Sequence, residues 1–220
     1  VYQNEVDRVT VIRNGEAVPV GPLAPSVKAM VAGPKDSLFL LSTKSGLIRE
    51  AGVLPLPALG SPTGAFLDRW GTLWISDSKV PGLTLISPDG ASRTLPTPAA
   101  VALAPHPSGG ALLAADGNRA LILVGPEGQT LLNIPYGKDL PTAFRNVVAL
   151  ATDGAGQTAA LVEGGDFGEG VVVFGPDGAV LRSATFKSLG VSGRITSLAL
   201  DREGGILLCD RRNDTLLRLF

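Results

Sequence analysis

The sequence predicts an all-β chain, and three observations carry that expectation. Short apolar runs recur along the 220 residues, and none sustains a helical period for three turns. The 28 glycines and 17 prolines are dispersed between those runs rather than pooled, as frequent chain reversals require. A phrase also repeats: WISDSKVPGLTLISPDG (Trp74 to Gly90) and LLAADGNRALILVGPEG (Leu112 to Gly128) share one order of apolar run, Asp, turn formers, apolar run and Pro-acid-Gly, and LLCDRRNDTLLRLF repeats its first part at the C-terminus.

The repeat has a length. Gly15, Gly52, Gly90, Gly128 and Gly178 each close a Pro-acid-Gly turn or its equivalent, at spacings of 37, 38, 38 and 50 residues. Each unit reads as four strands. One runs GAFLD, TLWIS, LTLIS and SRTLP, and the next runs AVALA, ALLAA, ALILV and TLLNI, with turn-forming residues between successive strands. A lone four-stranded meander cannot cover both of its faces, so it stacks on copies of itself. Radial stacking at roughly 40 residues per unit gives a β-propeller.

Taken in order, the blades fall at 26–60, 61–98, 99–140 and 141–193, with a last one at 194–220 joined with 1–25, in a single domain. RVTVIR and EAVPV read as outer strands, and ITSLALD, GILLCD and TLLRLF as the inner three. Joining the two ends closes a five-bladed ring and removes a sheet edge; if each end is a blade of its own, there are six. The Asp at the end of the second strand (Asp77, Asp116, Asp210) reads as a turn former that accepts backbone N–H groups.

The stretches SLALDREGGILLCDRRNDTLLRLF, AFLDRWGTLWISDSKVPGLTLISPDG, AADGNRALILVGPEG and NEVDRVTVIRNG resemble the NHL-repeat family of propellers. That family's units run as apolar strand, Asp-x-x-Gly turn, apolar strand, Asp-Ser-x-Asn-x-Arg-Ile, strand and Asp-Gly. The resemblance covers nearly the whole chain, and it implies the propeller fold.

Composition narrows the function classes. A net charge of −1 removes the simple argument for nucleic acid, which needs clustered positive charge. No apolar run is long enough for a spanning helix. The single cysteine, Cys209, reads as a small buried core residue on a strand. The chain opens at Val1 with no signal-like segment, which fits a processed N-terminus or a piece of a longer protein. Short turns and few lysines suit an exported setting, whether periplasmic, secreted or at the cell surface.

In such a meander the blade-to-blade connections and the turns after the second strands share one face. Two of them are longer than the repeat requires: IPYGKDLPTAFRN (Ile134 to Asn146) and EGGDFGEG (Glu163 to Gly170). They bring Tyr136, Lys138, Asp139, Phe144, Arg145, Glu163, Asp166, Phe167 and Glu169 to one rim, with Arg211, Arg212, Lys79 and Lys44 beside them. Exposed aromatics among mixed charges suit a protein or peptide partner. The competing reading is that Phe144 and Phe167 pin the loops to the blade.

Enzyme readings find less support. Lactone hydrolases of this architecture hold a divalent metal with acids and amides where the inner strands begin. Here those positions read SPTGAF, TPAAVA, FRNVVA and GRITSL, which offer Asn146 and no acid. Asp68, Asp153 and Asp201 follow the inner strands and read as turn formers. Zinc lyases of NHL type need several histidines, and His106 is the only one. Trp74 reads as core, and Trp70 as a partly exposed cover for a neighbouring blade on the opposite face. The expectation is a non-catalytic scaffold for protein or peptide recognition, with no catalytic residue, metal or cofactor. A metal-dependent lactonase and a self-associating structural subunit are the alternatives.

Overall fold

Tight turns set the strand lengths. The computed structural model describes residues 2–3, 8–13, 16–20, 27–32, 38–42, 46–49, 52–54, 59–115, 119–136, 144–201 and 203–219. Four sheets have four antiparallel strands in chain order. Blade 1 comprises β4 (Val27–Ala32), β5 (Leu38–Ser42), β6 (Gly46–Arg49) and β7 (Gly52–Leu54). Blade 2 comprises β8 (Pro62–Leu67), β9 (Leu73–Asp77), β10 (Leu83–Ile86) and β11 (Ser92–Leu95). Blade 3 comprises β12 (Ala100–Pro105), β13 (Ala111–Ala115), β14 (Ala120–Val124) and β15 (Thr130–Pro135). Blade 4 comprises β16 (Asn146–Thr152), β17 (Thr158–Glu163), β18 (Gly170–Phe174) and β19 (Val180–Thr185). Two three-stranded sheets flank them: β1 (Tyr2–Gln3), β2 (Arg8–Arg13) and β3 (Glu16–Val20) at the N-terminus, and blade 5, β20 (Ile195–Leu200), β21 (Ile206–Asp210) and β22 (Thr215–Leu219), at the C-terminus. The described residues form no helix, and the sheets are arranged as a β-propeller.

The expected joining of the two ends into a fifth blade is not seen among the described strands. Among the described residues β2 pairs with β1 and β3, β22 pairs with β21, and four sheets are four-stranded blades. The N-terminal strands pair locally in antiparallel register, with Arg13 opposite Glu16 and Val9 opposite Val20.

The inner turns share one design. Asp68 N donates to Thr72 O (3.0 Å), Gly71 N donates to Asp68 O (3.0 Å), and Asp68 Oδ1 accepts from Trp70 N (2.9 Å) and Thr72 N (2.8 Å). Asp153 Oδ1 accepts from Ala155 N and Gln157 N, and Asp201 Oδ1 from Glu203 N and Gly205 N. The fourth turn residue has a φ of 80° to 89° in blades 2 to 5, at Gly71, Gly109, Gly156 and Gly204, where any side chain would be strained. At its other end each inner strand of blades 1 to 5 carries a β-bulge, between Val27 and Ala29, Pro62 and Gly64, Ala100 and Ala102, Val147 and Ala149, and Ile195 and Ser197. The bulge adds local twist where the strand starts.

Packing follows from period-2 alternation. In β9, Leu73 and Ile75 enter a cluster with Val31 and Leu41 of blade 1, while Trp74 enters one with Ala111, Leu113 and Ile122 of blade 3. In β17, Ala160 and Val162 meet blade 3 while Ala159 and Leu161 meet Ile206 and Leu208 of blade 5. Both faces of β9, β13 and β17 are therefore buried, which is why they read as continuous apolar runs. β21 differs, since Ile206, Leu208 and Asp210 are buried whereas Leu207 and Cys209 are half-buried. The expected burial of Cys209 is corrected accordingly: its face of blade 5 carries no full cover among the described residues.

Candidate functional site

The rim at blade 4 is built from two apolar feet. Tyr136 follows β15 and Phe144 precedes β16; their rings stack with centroids 4.8 Å apart at 25°, and the two residues are 8% and 1% exposed. Both belong to the cluster between blades 3 and 4, and Tyr136 N donates to Arg119 O (2.7 Å). The expectation of exposed aromatics is corrected here: Tyr136 and Phe144 tie down the ends of the long connection. The signal was present in TLLNIPY, because Leu132, Ile134 and Tyr136 continue the inward alternation of β15. Lys138 and Asp139, and also Lys44 and Asp116, lie outside the described residues.

The second long turn crosses beside those feet. Gly164, Gly165 and Gly168 have φ of 77°, 69° and 79°, so this reversal depends on glycine. Arg145 N donates to Glu163 O (3.1 Å) and Asn146 Nδ2 to Glu163 Oε1 (3.3 Å), tying the two connections together. Phe167 is half-buried against the same core cluster, and a Cβ at Gly170 would come within 2.9 Å of its ring. Phe186 N closes the turn by donating to Glu169 O (2.9 Å).

The charges stay outside. Arg145, Glu163, Asp166, Glu169, Arg211 and Arg212 are exposed, and among the described residues none of them forms an ion pair. Glu163 and Arg211 occupy equivalent places in neighbouring blades, each one residue past the strand position held by Val162 and Asp210. The rim thus presents mixed charge on a glycine-rich turn whose apolar residues face inward.

In blades 2 and 5 the same end of the blade is closed by buried carboxylates. Asp77 Oδ2 accepts from Ser61 N (2.8 Å) and its Oδ1 from Lys79 N (2.7 Å) and Val80 N (3.0 Å). Burial pushes this carboxyl up, but the N–H groups of Lys79, Ser61 and Val80 outweigh it and hold the group below its ordinary value. Asp210 accepts from Arg194 N, Arg212 N and Asn213 in the same manner. Ala115 and Val162 take this place in blades 3 and 4.

Asp68, Asp153 and Asp201 lie at the opposite end, where they form the inner turns. Among the described residues no three His, Cys, Asp or Glu side chains gather in a way that could hold a metal.

No family model matches the chain, and no curated protein matches it. Solved structures do. Virginiamycin B lyase from Staphylococcus aureus is 10% identical with a TM-score of 0.68, covering 88% of this chain and 66% of that one. A gluconolactonase from Xanthomonas campestris is 15% identical with a TM-score of 0.61, covering 82% and 68%. YCF48 bound to D1 peptide is 13% identical with a TM-score of 0.58, covering 93% and 71%. The chain spans about two thirds of the lyase's length. Identities this low carry the fold alone, and the fold they carry is the β-propeller.

Proposed function

We propose that the chain is an NHL-like recognition module that binds an extended peptide segment of a partner protein on the blade 4 rim. The observation that carries this reading is the division of labour there: Tyr136, Phe144 and Phe167 hold the two long connections in place, which leaves Arg145, Asp166, Glu169 and Arg211 exposed without an ion pair among the described residues, and Glu163 exposed with Asn146 as its side-chain partner. A fixed loop loses little conformational freedom on binding, and unpaired charges of both signs select a partner with the complementary sequence. YCF48, of the same fold, is seen with a peptide. The remaining candidates, Lys138 and Asp139, belong to the same connection in sequence and lie outside the described residues.

The likeness to a gluconolactonase supports a second reading, a propeller hydrolase. One experiment separates the two. The immobilised chain is panned against a random peptide display library, and a triple variant Arg145→Ala, Asp166→Ala, Glu169→Ala is panned in parallel. The expected result is enrichment of peptides bearing both charge signs by the natural chain, with binding reduced about tenfold or more in the variant. Absence of enrichment, together with hydrolysis of gluconolactone on addition of calcium, magnesium or zinc, would overturn the peptide reading in favour of the hydrolase.

A further inference from the structure

At the opposite end from that rim, a cleft of about 560 Å³ lies on blade 2, with Pro126 of blade 3 beside it. Its floor is Trp74 and Leu85, its outer wall is Pro126 of blade 3, and Trp70 stands at its mouth. The repeat does not call for Trp70. The equivalent turn residues are Ser108, Ala155 and Glu203, and every other bond of the turn is made by backbone and Asp68. Yet this indole is 55% exposed. It is held in place: the Arg69 guanidinium lies 4.2 Å from its ring centroid, and its Cη2 edge lies over Gly109, where a Cβ would come within 3.0 Å. An exposed, immobilised tryptophan at the mouth of a cleft is a binding feature in search of a ligand.

We propose that this cleft binds a neutral carbohydrate, with Trp70 as the surface on which a sugar ring stacks. The two charged residues that line it, Asp68 and Arg93, are matched within the protein. Asp68 accepts from two backbone N–H groups and from Trp74 Nε1 (3.0 Å), and Arg93 donates to Pro126 O (2.9 Å) and pairs with Glu127 (3.6 Å). A cationic ligand would find no uncommitted carboxylate in the lining, and Arg69, which has no carboxylate partner among the described residues, is already stacked on the Trp70 ring. The polar groups left over are the hydroxyls of Thr72 and Ser92 and the indole N–H of Trp70, none with a protein partner among the described residues. Hydroxyls both donate and accept, as do those of a sugar, whose C–H face packs on an aromatic ring. A proline-rich peptide offers carbonyl acceptors and seats its prolines between successive aromatic ridges. Here one aromatic is exposed, because Trp74 and Phe66 lie stacked within the core.

Trp70 and Trp74 are the chain's only tryptophans, so intrinsic fluorescence reports on this cleft. The chain is titrated with cellotetraose, maltotetraose, xylotetraose and tetra-N-acetylchitotetraose, with tetragalacturonate and decaproline as contrasting probes. At least one neutral sugar is expected to give a saturable change with a dissociation constant below about 5 mM. Calorimetry with that sugar is expected to show about a tenfold loss in Trp70→Ala and a smaller loss in Ser92→Ala, both at an unchanged thermal midpoint. Saturation by no neutral sugar, saturation by tetragalacturonate or decaproline alone, or undiminished affinity in both variants would overturn the proposal.

Discussion

His106 does for blade 3 what Asp68 does for blade 2. Its backbone makes the same turn, with His106 N donating to Gly110 O and Gly109 N donating to His106 O, and its ring nitrogen replaces the carboxylate oxygen. Nδ1 accepts from Ser108 N (3.3 Å) and lies 2.8 Å from Ser108 Oγ. Only an unprotonated Nδ1 can accept, so the turn requires neutral imidazole.

A pH dependence follows, and its sign is fixed. Burial holds the His106 pKa below its ordinary 6.5. As pH falls through 6.5 the unfolded chain takes up the proton first, so folding stability declines from there until the folded-state pKa has been passed. The urea midpoint of the natural chain is expected to drop as pH falls through 6.5, and His106→Asp, which restores the Asp68 arrangement, is expected to flatten that drop. Equal slopes in the two proteins would show that the imidazole is not the group responsible.

Asp77 should set a separate, more acidic limb. Its pKa is held below 3.8, so the stability it confers is present above that value and is lost as pH falls through the folded-state pKa. Asp77→Ala strands the N–H groups of Ser61, Lys79 and Val80 at a site where the carboxylate is 3% exposed. Equilibrium unfolding at neutral pH is expected to show a loss of about 2–3 kcal/mol, with Asp77→Asn intermediate.

Gly193 is constrained by its neighbour rather than by its own backbone. A Cβ there would fall inside the Asp210 carboxylate, which would then have to leave Arg194 N and Arg212 N. Gly193→Ala is expected to destabilise at least as much as Asp210→Ala, and the double variant to cost far less than the two single changes added together. Additive costs would mean that the carboxylate can move aside freely.

Most of this architecture was legible because it is repeated. A 38-residue spacing and four apolar runs per unit suffice to give stacked meanders, and Trp74 and Trp70 lie where their runs and turns place them. What escaped was set by relations between residues distant in sequence or disguised in type. Nothing in APHPSG marks His106 as a carboxylate substitute until its turn is aligned with DRWG, DGAG and DREG. The two ends could be paired or left apart with the same strand patterns, since the alternation in RVTVIR or TLLRLF states which residues share a face and not which edge meets which. At the rim, charge was readable and the burial of Tyr136 was missed, whereas Phe144 and Phe167 follow the competing reading in which they pin the loops to the blade.

The buried feet of the rim make the last prediction. If Phe144 anchors the long connection, its removal opens a cavity beside Tyr136, Val147 and Leu150 in the blade 3 and blade 4 core. Phe144→Ala is expected to cost about 3–5 kcal/mol in chemical denaturation. Asp166→Ala, at an exposed turn position, is expected to stay within about 0.5 kcal/mol while weakening peptide capture. The two variants separate support from recognition. A stability loss confined to Phe144→Ala and a binding loss in Asp166→Ala would place the energy of the rim in its buried feet and its selectivity in the exposed charges. A large stability loss in Asp166→Ala would instead mean that this carboxylate holds the glycine-rich turn together, leaving Arg145, Glu163 and Glu169 as the charges available for recognition.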